Sequence, residues 1–415
     1  MGRPSSKVAD APFTICHVIK QRDENPNQSS QHSLPKADEP PWSNPLAAYI
    51  HIPFCAHHCC YCDFAVTDRH DHLMDTYLDA LACEIALLET PRPMQTIFIG
   101  GGTPTHLQPT QLQRLLQVVR TWLPLEAGGE FSVEANPHGL TEAKVEVLVQ
   151  GGVNRFSLGV QSFQPAKLKT LERDHRAEDV ECVLALLRRF PVTISLDLIF
   201  GVPGETVHDW RDDLRQALAL GPDHVSTYGL TYEKGTRLWK QRQRQLVQPV
   251  DEDIELAMYE LAMDFLAGAG FEHYEISNYA LPGCRCRHNE VYWANNAYFG
   301  FGMGAARYVA GRREVNSRSL DTYLRRVLAG QPATFQSETL SPEESARETM
   351  ALQLRRSDGI ERPQFKKRTG FELDAIAGSQ LARQVERGLL LDDGTRVRLT
   401  RRGKCLADAV ICDLL

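Results

Sequence analysis

The chain has 415 residues, 42% of them hydrophobic and 24% charged, with a net charge of -7. That balance fits a globular protein with room for more than one domain and excludes bulk nucleic-acid binding. No apolar run approaches the roughly 18 residues that span a bilayer and the N-terminus lacks a hydrophobic signal core, so a cytoplasmic protein is expected, its eleven cysteines free or metal-bound.

Residues 1–44 are broken by Pro4, Pro12, Pro26, Pro35, Pro40 and Pro41 and offer few core positions, which predicts a disordered tail. From Tyr49 a repeated unit begins, an apolar β-branched run followed by a helical stretch. Tyr49-Ile-His-Ile alternates as a strand, and Pro53 ends it. Further strands are expected at 96–99, 131–134, 156–160, 194–200 and 225–228. Helical patterns fall at 72–89, 111–123, 142–150, 177–189 and 207–220. Six βα units predict an α/β fold over 45–235, a partial (β/α)6 TIM-like barrel left open because it has fewer than eight units.

Residues 236–335 read as a connecting region, with a strong helix over 251–269 and a turn-rich stretch over 274–308. From about 336 the chain changes character. Ser341-Pro-Glu-Glu344 is a helix start with a capping box, and Asp393-Gly394 between apolar runs is a hairpin signal. Helices followed by a hairpin predict a small winged-helix-like domain over 336–415, a packing module in preference to a nucleic-acid reader.

Cys55, Cys59 and Cys62 fall on the loop that leaves the first strand. Three thiolates can hold three irons of a cubane cluster and leave the fourth open to an external ligand. A structural zinc site is the alternative, using Cys59 and Cys62 with Cys284, Cys286 or His288. It would leave Cys55 unused. Gly100-Gly101-Gly102-Thr103 follows the second strand, where glycines let backbone approach a ligand closely. Glu134 ends the third strand and Gln161 follows the fourth, while Asp197 lies inside an apolar strand and needs a partner there. Arg173, taken alone, reads as a solvated charge.

The cysteine spacing after Tyr49-Ile-His-Ile-Pro, together with the glycine run, resembles the radical S-adenosylmethionine (SAM) proteins of the oxygen-independent coproporphyrinogen oxidase group, over nearly the whole chain after the tail. The resemblance implies a 4Fe-4S cluster on Cys55, Cys59 and Cys62. It implies S-adenosyl-L-methionine near Tyr49, Tyr61, Gly101, Gly102, Thr103 and Glu134. Gln161, Arg173 and Asp197 match further positions that hold this cofactor in the oxidase, some of them for a second molecule.

Two branches of the group differ at the cluster loop. The oxidase carries a further cysteine where this chain has Phe64. The heme chaperone branch carries Cys-Asp-Phe, present as Cys62-Asp63-Phe64, and a His-Asn-x-x-Tyr-Trp motif, present as His288-Asn-Glu-Val-Tyr292-Trp293. An imidazole beside aromatic residues can offer an iron ligand and flat apolar surface to a porphyrin. The resemblance therefore implies heme binding around His288, Tyr292 and Trp293, with Cys284 and Cys286 as rival ligands. It also implies heme delivery to an acceptor hemoprotein, a respiratory one met at the membrane surface, and a homodimer. The alternative is an enzyme, the oxidase itself, acting in porphyrin biosynthesis by radical oxidative decarboxylation.

Overall fold

The computed structural model describes residues 43–415. Nearly all of the tail read over 1–44, including Cys16, lies outside the described residues. Six strands form in chain order: β1 (Ala47–Ile52), β2 (Met94–Gly101), β3 (Leu125–Ala135), β4 (Arg155–Gln161), β5 (Thr193–Phe200) and β6 (His224–Gly229). Each pairs in parallel with the next. The helices Met74–Ala86, Pro109–Trp122, Glu142–Gln150, Ala177–Leu187 and Val207–Ala219 lie between them, close to where the periodicity predicts.

The sheet does not close. The short strands β7 (Glu272–His273) and β8 (Asn278–Ala280) extend it antiparallel beyond β6, and β9 (Phe299–Phe301) extends it in parallel beyond β1. Residues 236–335, read from sequence as a connecting region, thus supply both edges of the nine-stranded sheet. One buried carboxylate pins the β9 edge. Glu84, on the helix Met74–Ala86, accepts hydrogen bonds from Gly302 N (2.8 Å), Tyr323 Oη (2.7 Å) and Asn316 Nδ2 (2.7 Å). Burial pushes its carboxyl up, and these three donors work against that.

Side chains alternate across each strand. Ile50, Ile97, Val133, Phe156, Leu196 and Val225 are buried in the core that the sheet shares with its helices. The other face is polar, with His51, Glu134, Ser157 and Asp197 turned towards the barrel interior. A parallel strand covered on both faces reads as a continuous apolar run. These strands alternate because their inner face lines a cavity.

Past a small antiparallel sheet of β10 (Ala306–Val309), β11 (Arg312–Asn316) and β12 (Thr334–Thr339), Ser341 caps the helix Pro342–Leu354 in the expected capping box with Glu344. Residues beyond it build a core of their own that includes Met350, Phe365, Leu381 and Val397. Three strands complete it: β13 (Ile360–Glu361), β14 (Leu390–Asp392) and β15 (Arg396–Leu399), the last two joined by the Asp-Gly turn, in which Gly394 has a φ of +86°. This unit leans on the main sheet's surroundings through Arg401 with Asp264 and through Asn295 Nδ2 with Thr349 Oγ1 (3.0 Å). Among the described residues no helix is long and apolar enough to cross a membrane.

Candidate functional site

The loop after β1 is tied back on itself before it presents any thiol. Cys55 N donates to Thr67 O (3.0 Å) and Thr67 N to Pro53 O (2.8 Å). His51 braces the loop from below: its Nε2 donates to Ala65 O (2.7 Å), which leaves Nδ1 to accept from Tyr49 Oη (3.0 Å). Burial lowers the His51 pKa to about 4, so the imidazole is neutral and keeps this tautomer.

Cys55, Cys59 and Cys62 are all half-buried and all line one cavity of about 1550 Å³ at the C-terminal ends of the strands. Burial pushes the Cys55 thiol up to about 12 and the Cys62 thiol up to about 11. Opposing this, Thr103 Oγ1 donates to Cys55 Sγ (3.8 Å). Arg173 Nη1 donates to Cys59 Sγ (3.6 Å). The fourth cysteine of the loop is turned away. Cys60 is 1% exposed, donates to Thr170 O (3.3 Å), and packs with Leu171, Ile199, Val202 and Leu230.

The glycine run closes against this loop. Gly101 has a φ of +112°, and a Cβ there would lie 2.4 Å from the His51 ring. A Cβ on Gly100 would lie 2.8 Å from Glu134 Oε2. Gly101 N instead donates to that oxygen (2.9 Å). Thr103 N reaches Phe54 O (2.8 Å), so the second rim loop is joined to the cysteine loop.

Three acidic or amide groups complete the floor. Glu134 has its pKa raised to about 7, by burial first and by Asp197 in addition. Asp197 is fully satisfied: Ser157 Oγ (2.9 Å) and Ser226 Oγ (2.7 Å) donate to it, against a burial that raises it. Gln161 adopts a φ of +63° just past the irregularity in the β4–β5 register, an uncommon conformation for a residue with a side chain. Arg173, which alone reads as a solvated charge, is instead drawn in. Its Nη2 bonds Gly159 O (2.6 Å) and Asn136 Oδ1, and its Nε is buried without a hydrogen-bond partner. Tyr49, Tyr61, Gly102 and Thr103 line the same cavity.

The predicted heme residues lie elsewhere. His288 and Tyr292 stand in the short helix Arg287–Trp293, whose first amides are capped by Glu130: Arg287 N and His288 N each donate to it at 3.1 Å. Glu130 is four residues below Glu134 on β3, about 13 Å along the strand at the usual rise. His288 is 1% exposed, and both ring nitrogens are engaged, Nδ1 with Thr96 Oγ1 (2.9 Å) and Nε2 with Tyr292 Oη (2.8 Å). Its ring lies against Phe98 at 5.2 Å, and burial lowers its pKa to about 3. None of His288, Tyr292 and Trp293 lines the cavity.

The zinc alternative needed Cys59 and Cys62 to meet Cys284, Cys286 or His288. Cys286 instead donates to Glu130 (3.6 Å), at the other end of the barrel. Among the described residues no three His, Cys, Asp or Glu side chains converge on one ion. A cubane makes no such demand, because each iron takes its own thiolate. Three thiols around one cavity, with a fourth excluded, fit a cluster with an open iron.

Sequence reasoning passed over His51, Asn136, Ser157, Ser226 and Tyr228. Ser157 carried a signal: it is a short polar residue among Phe156, Leu158 and Val160, which marks an inner wall.

Comparison with known proteins agrees with this architecture. Residues 49–217 match the model of the Radical SAM superfamily, and residues 340–406 match that of the HemN C-terminal domain. The chain is 38% identical to the heme chaperone HemW of Lactococcus lactis, over 86% of this chain and 94% of that protein. It is 37% identical to the heme chaperone HemW of Bacillus subtilis, over 88% and 97%. Among solved structures, the coproporphyrinogen III oxidase HemN of Escherichia coli, a radical SAM enzyme, superposes with a TM-score of 0.80 at 23% identity, covering 90% of each chain.

Proposed function

Because the chain belongs to the heme chaperone HemW family, on a radical SAM fold, we propose that it binds heme and delivers it to an acceptor hemoprotein. The observation that carries this reading is likeness along nearly the whole length of proteins named for that task. The oxidase shares the fold at 23% identity. Phe64 agrees: it stands where the oxidase would have a cysteine, and it is 66% exposed at the cavity's edge.

In this proposal Cys55, Cys59 and Cys62 hold a 4Fe-4S cluster. Tyr49, Tyr61, Gly101, Gly102, Thr103 and Glu134 surround S-adenosylmethionine, with Gln161, Arg173 and Asp197 deeper in the same cavity. Bound together, cluster and cofactor supply one-electron chemistry. The chain's own part is positional. Gly101 N fixes one oxygen of Glu134, Arg173 orients the Cys59 sulfur, and the His51 brace holds the cysteine loop to β1.

The decisive experiment reconstitutes the protein without oxygen and follows heme binding, transfer to an apo-acceptor, and coproporphyrinogen turnover side by side. Binding and transfer are expected. Sustained formation of protoporphyrinogen would replace the chaperone reading with the oxidase.

Glu134 gives a separate test of the cofactor site. Its folded pKa is raised from 4.5 to about 7, so the folded state holds a proton that the unfolded state releases. The unliganded protein therefore loses stability as pH rises between those two values. A cationic cofactor such as S-adenosylmethionine, a sulfonium, would favour the charged carboxylate if it bound near Glu134 and so draw that proton off. Just below pH 7, binding of S-adenosylmethionine should release a substantial fraction of one proton, read by calorimetry in buffers of different ionisation enthalpy. Glu134→Gln should abolish the release. Identical buffer dependence in both proteins would remove Glu134 from the site.

A further inference from the structure

The cavity is larger than the cluster and cofactor residues require. A pocket for one drug-sized ligand measures roughly 300–1,000 Å³, against about 1550 Å³ here. Its lining also includes two groups of residues from outside the six parallel strands and their loops, and the part of the cavity they border forms a second lobe. One wall of this lobe is the first half of the helix Glu252–Gly268, with Leu256 and Tyr259. The other comes from the C-terminal unit, with Arg355, Lys404 and Leu406.

Two cations on that second wall are incompletely neutralised. Lys404 Nζ donates to Ser357 Oγ (2.8 Å) and lies 3.3 Å from His273 Nδ1, and among the described residues it has no carboxylate within ion-pair distance. Burial lowers its pKa to about 8, and that of the adjoining His273 to about 3. Glu275 and Asp358 act on it only from beyond ion-pair distance, and an ammonium partly withdrawn from water without a close partner is costly, a cost that an anionic ligand would lessen. Arg355 meets Asp408 Oδ1 (2.9 Å), but that carboxylate is 88% exposed and its pairing is weak. The Arg355 Nε is buried with no hydrogen-bond partner.

The same lobe offers flat apolar surface. Tyr259 is fixed by its hydroxyl to Ile276 O (2.8 Å), with its ring nearly parallel to Phe200 at 6.3 Å. Leu256 and Leu406 are left 41% and 46% exposed. Glu252, Asp253 and Glu255 line the facing wall, so the lobe is split into an acidic and a basic side.

We propose that this lobe is where heme sits, its propionates held by Lys404 and Arg355 and its macrocycle against Leu256, Tyr259 and Leu406. The acidic wall repels the propionate edge and so fixes its orientation. The inference rests on the chaperone reading and assigns the cargo a place that the His288 motif does not provide. His288 is committed on both nitrogens. The motif contributes through its other end, where the Arg355 guanidinium lies 5.0 Å over the Trp293 ring.

The test titrates hemin and hemin dimethyl ester, which lacks the propionate charges, into the full chain with its cluster reconstituted. Charge-assisted hydrogen bonds predict that hemin binds on the order of tenfold or more tighter than the ester. Lys404→Gln should lose most of that preference, Arg355→Gln part of it, and neither should change affinity for the ester much. The cluster's visible absorbance reports that each variant is folded. Should Arg355→Gln misfold through its lost contact with Trp293, Lys404→Gln carries the test alone. Equal affinity of the wild type for both ligands, or a preference kept intact in Lys404→Gln, overturns the proposal. A wild type that binds neither ligand overturns the chaperone reading itself.

Discussion

Replacing Cys55, Cys59 or Cys62 with serine should strip the anaerobically reconstituted protein of its iron, whereas Cys60→Ala should leave the iron in place. The cysteine loop carries four thiols within eight positions, and sequence spacing alone separates them poorly. Geometry separates them well. Three line the cavity, while Cys60 is 1% exposed, donates to Thr170 O and packs among aliphatic side chains. A partner in the second sphere of a metal site is worth roughly 10- to 100-fold in affinity, so loss of a ligand exceeds that range. Iron analysis and visible absorbance on the four single variants read the outcome. A Cys60 variant without iron, beside any one of the other three that retains it, would reverse the assignment.

Lys167→Met should lower the stability of the fold by roughly 3–5 kcal/mol, the usual cost of removing one partner from a buried ionic group. Lys167 Nζ bonds Asp213 Oδ2 (2.9 Å) and Glu205, with side-chain exposures of 5%, 0% and 2% for the three residues, and it lies 5.0 Å over the Trp210 ring. Asp213 also accepts from Ser162 Oγ (2.7 Å) and Phe163 N (2.8 Å), and Glu205 from Val202 N (2.9 Å). The group therefore clamps the loop after β4 to the turn after β5, and Arg173 lies six residues beyond Lys167 on that loop. Burial already raises the Glu205 carboxyl, and Lys167 is the chief influence holding it down. Without the lysine its folded pKa rises further above the unfolded value, so the deficit is largest at neutral pH and shrinks as the solution is acidified. Urea midpoints across that range measure it. A loss under about 1 kcal/mol at neutral pH would mean that the two carboxylates find other partners.

The six βα units were legible because each strand and helix is long enough for its period to repeat. Helices 142–150, 177–187 and 207–219 lie within two residues of the predicted spans. The region 274–308 was not legible, and the reason is length: β8 and β9 have three residues each, too few for an alternation to register. Their place in the sheet is decided by tertiary contacts such as the three donors to Glu84. The cysteine triplet and glycine run could be read as a site because their residue types are unusual. Arg173 could not, because an arginine looks the same in sequence whether it meets water or a cysteine sulfur. His288 shows the converse. Its motif stands out in sequence, yet Thr96 and Tyr292 take both of its nitrogens, which no spacing announces.

The join between β1 and β9 bears on how the chain is made. Ala48 pairs with Phe299, and at 5–20 residues per second about 250 residues take roughly 12 to 50 s to synthesise. Through that interval one edge of β1 has no strand to bind it, and an uncovered strand edge templates association with other chains. Parallel pairings at such separation also form slowly, since loop closure must precede any gain from contact. Docking of Gly302, Asn316 and Tyr323 onto Glu84 is therefore a late event in folding. Substitutions at Glu84 should first appear as poor soluble yield during expression, before any measurement on the purified protein detects them.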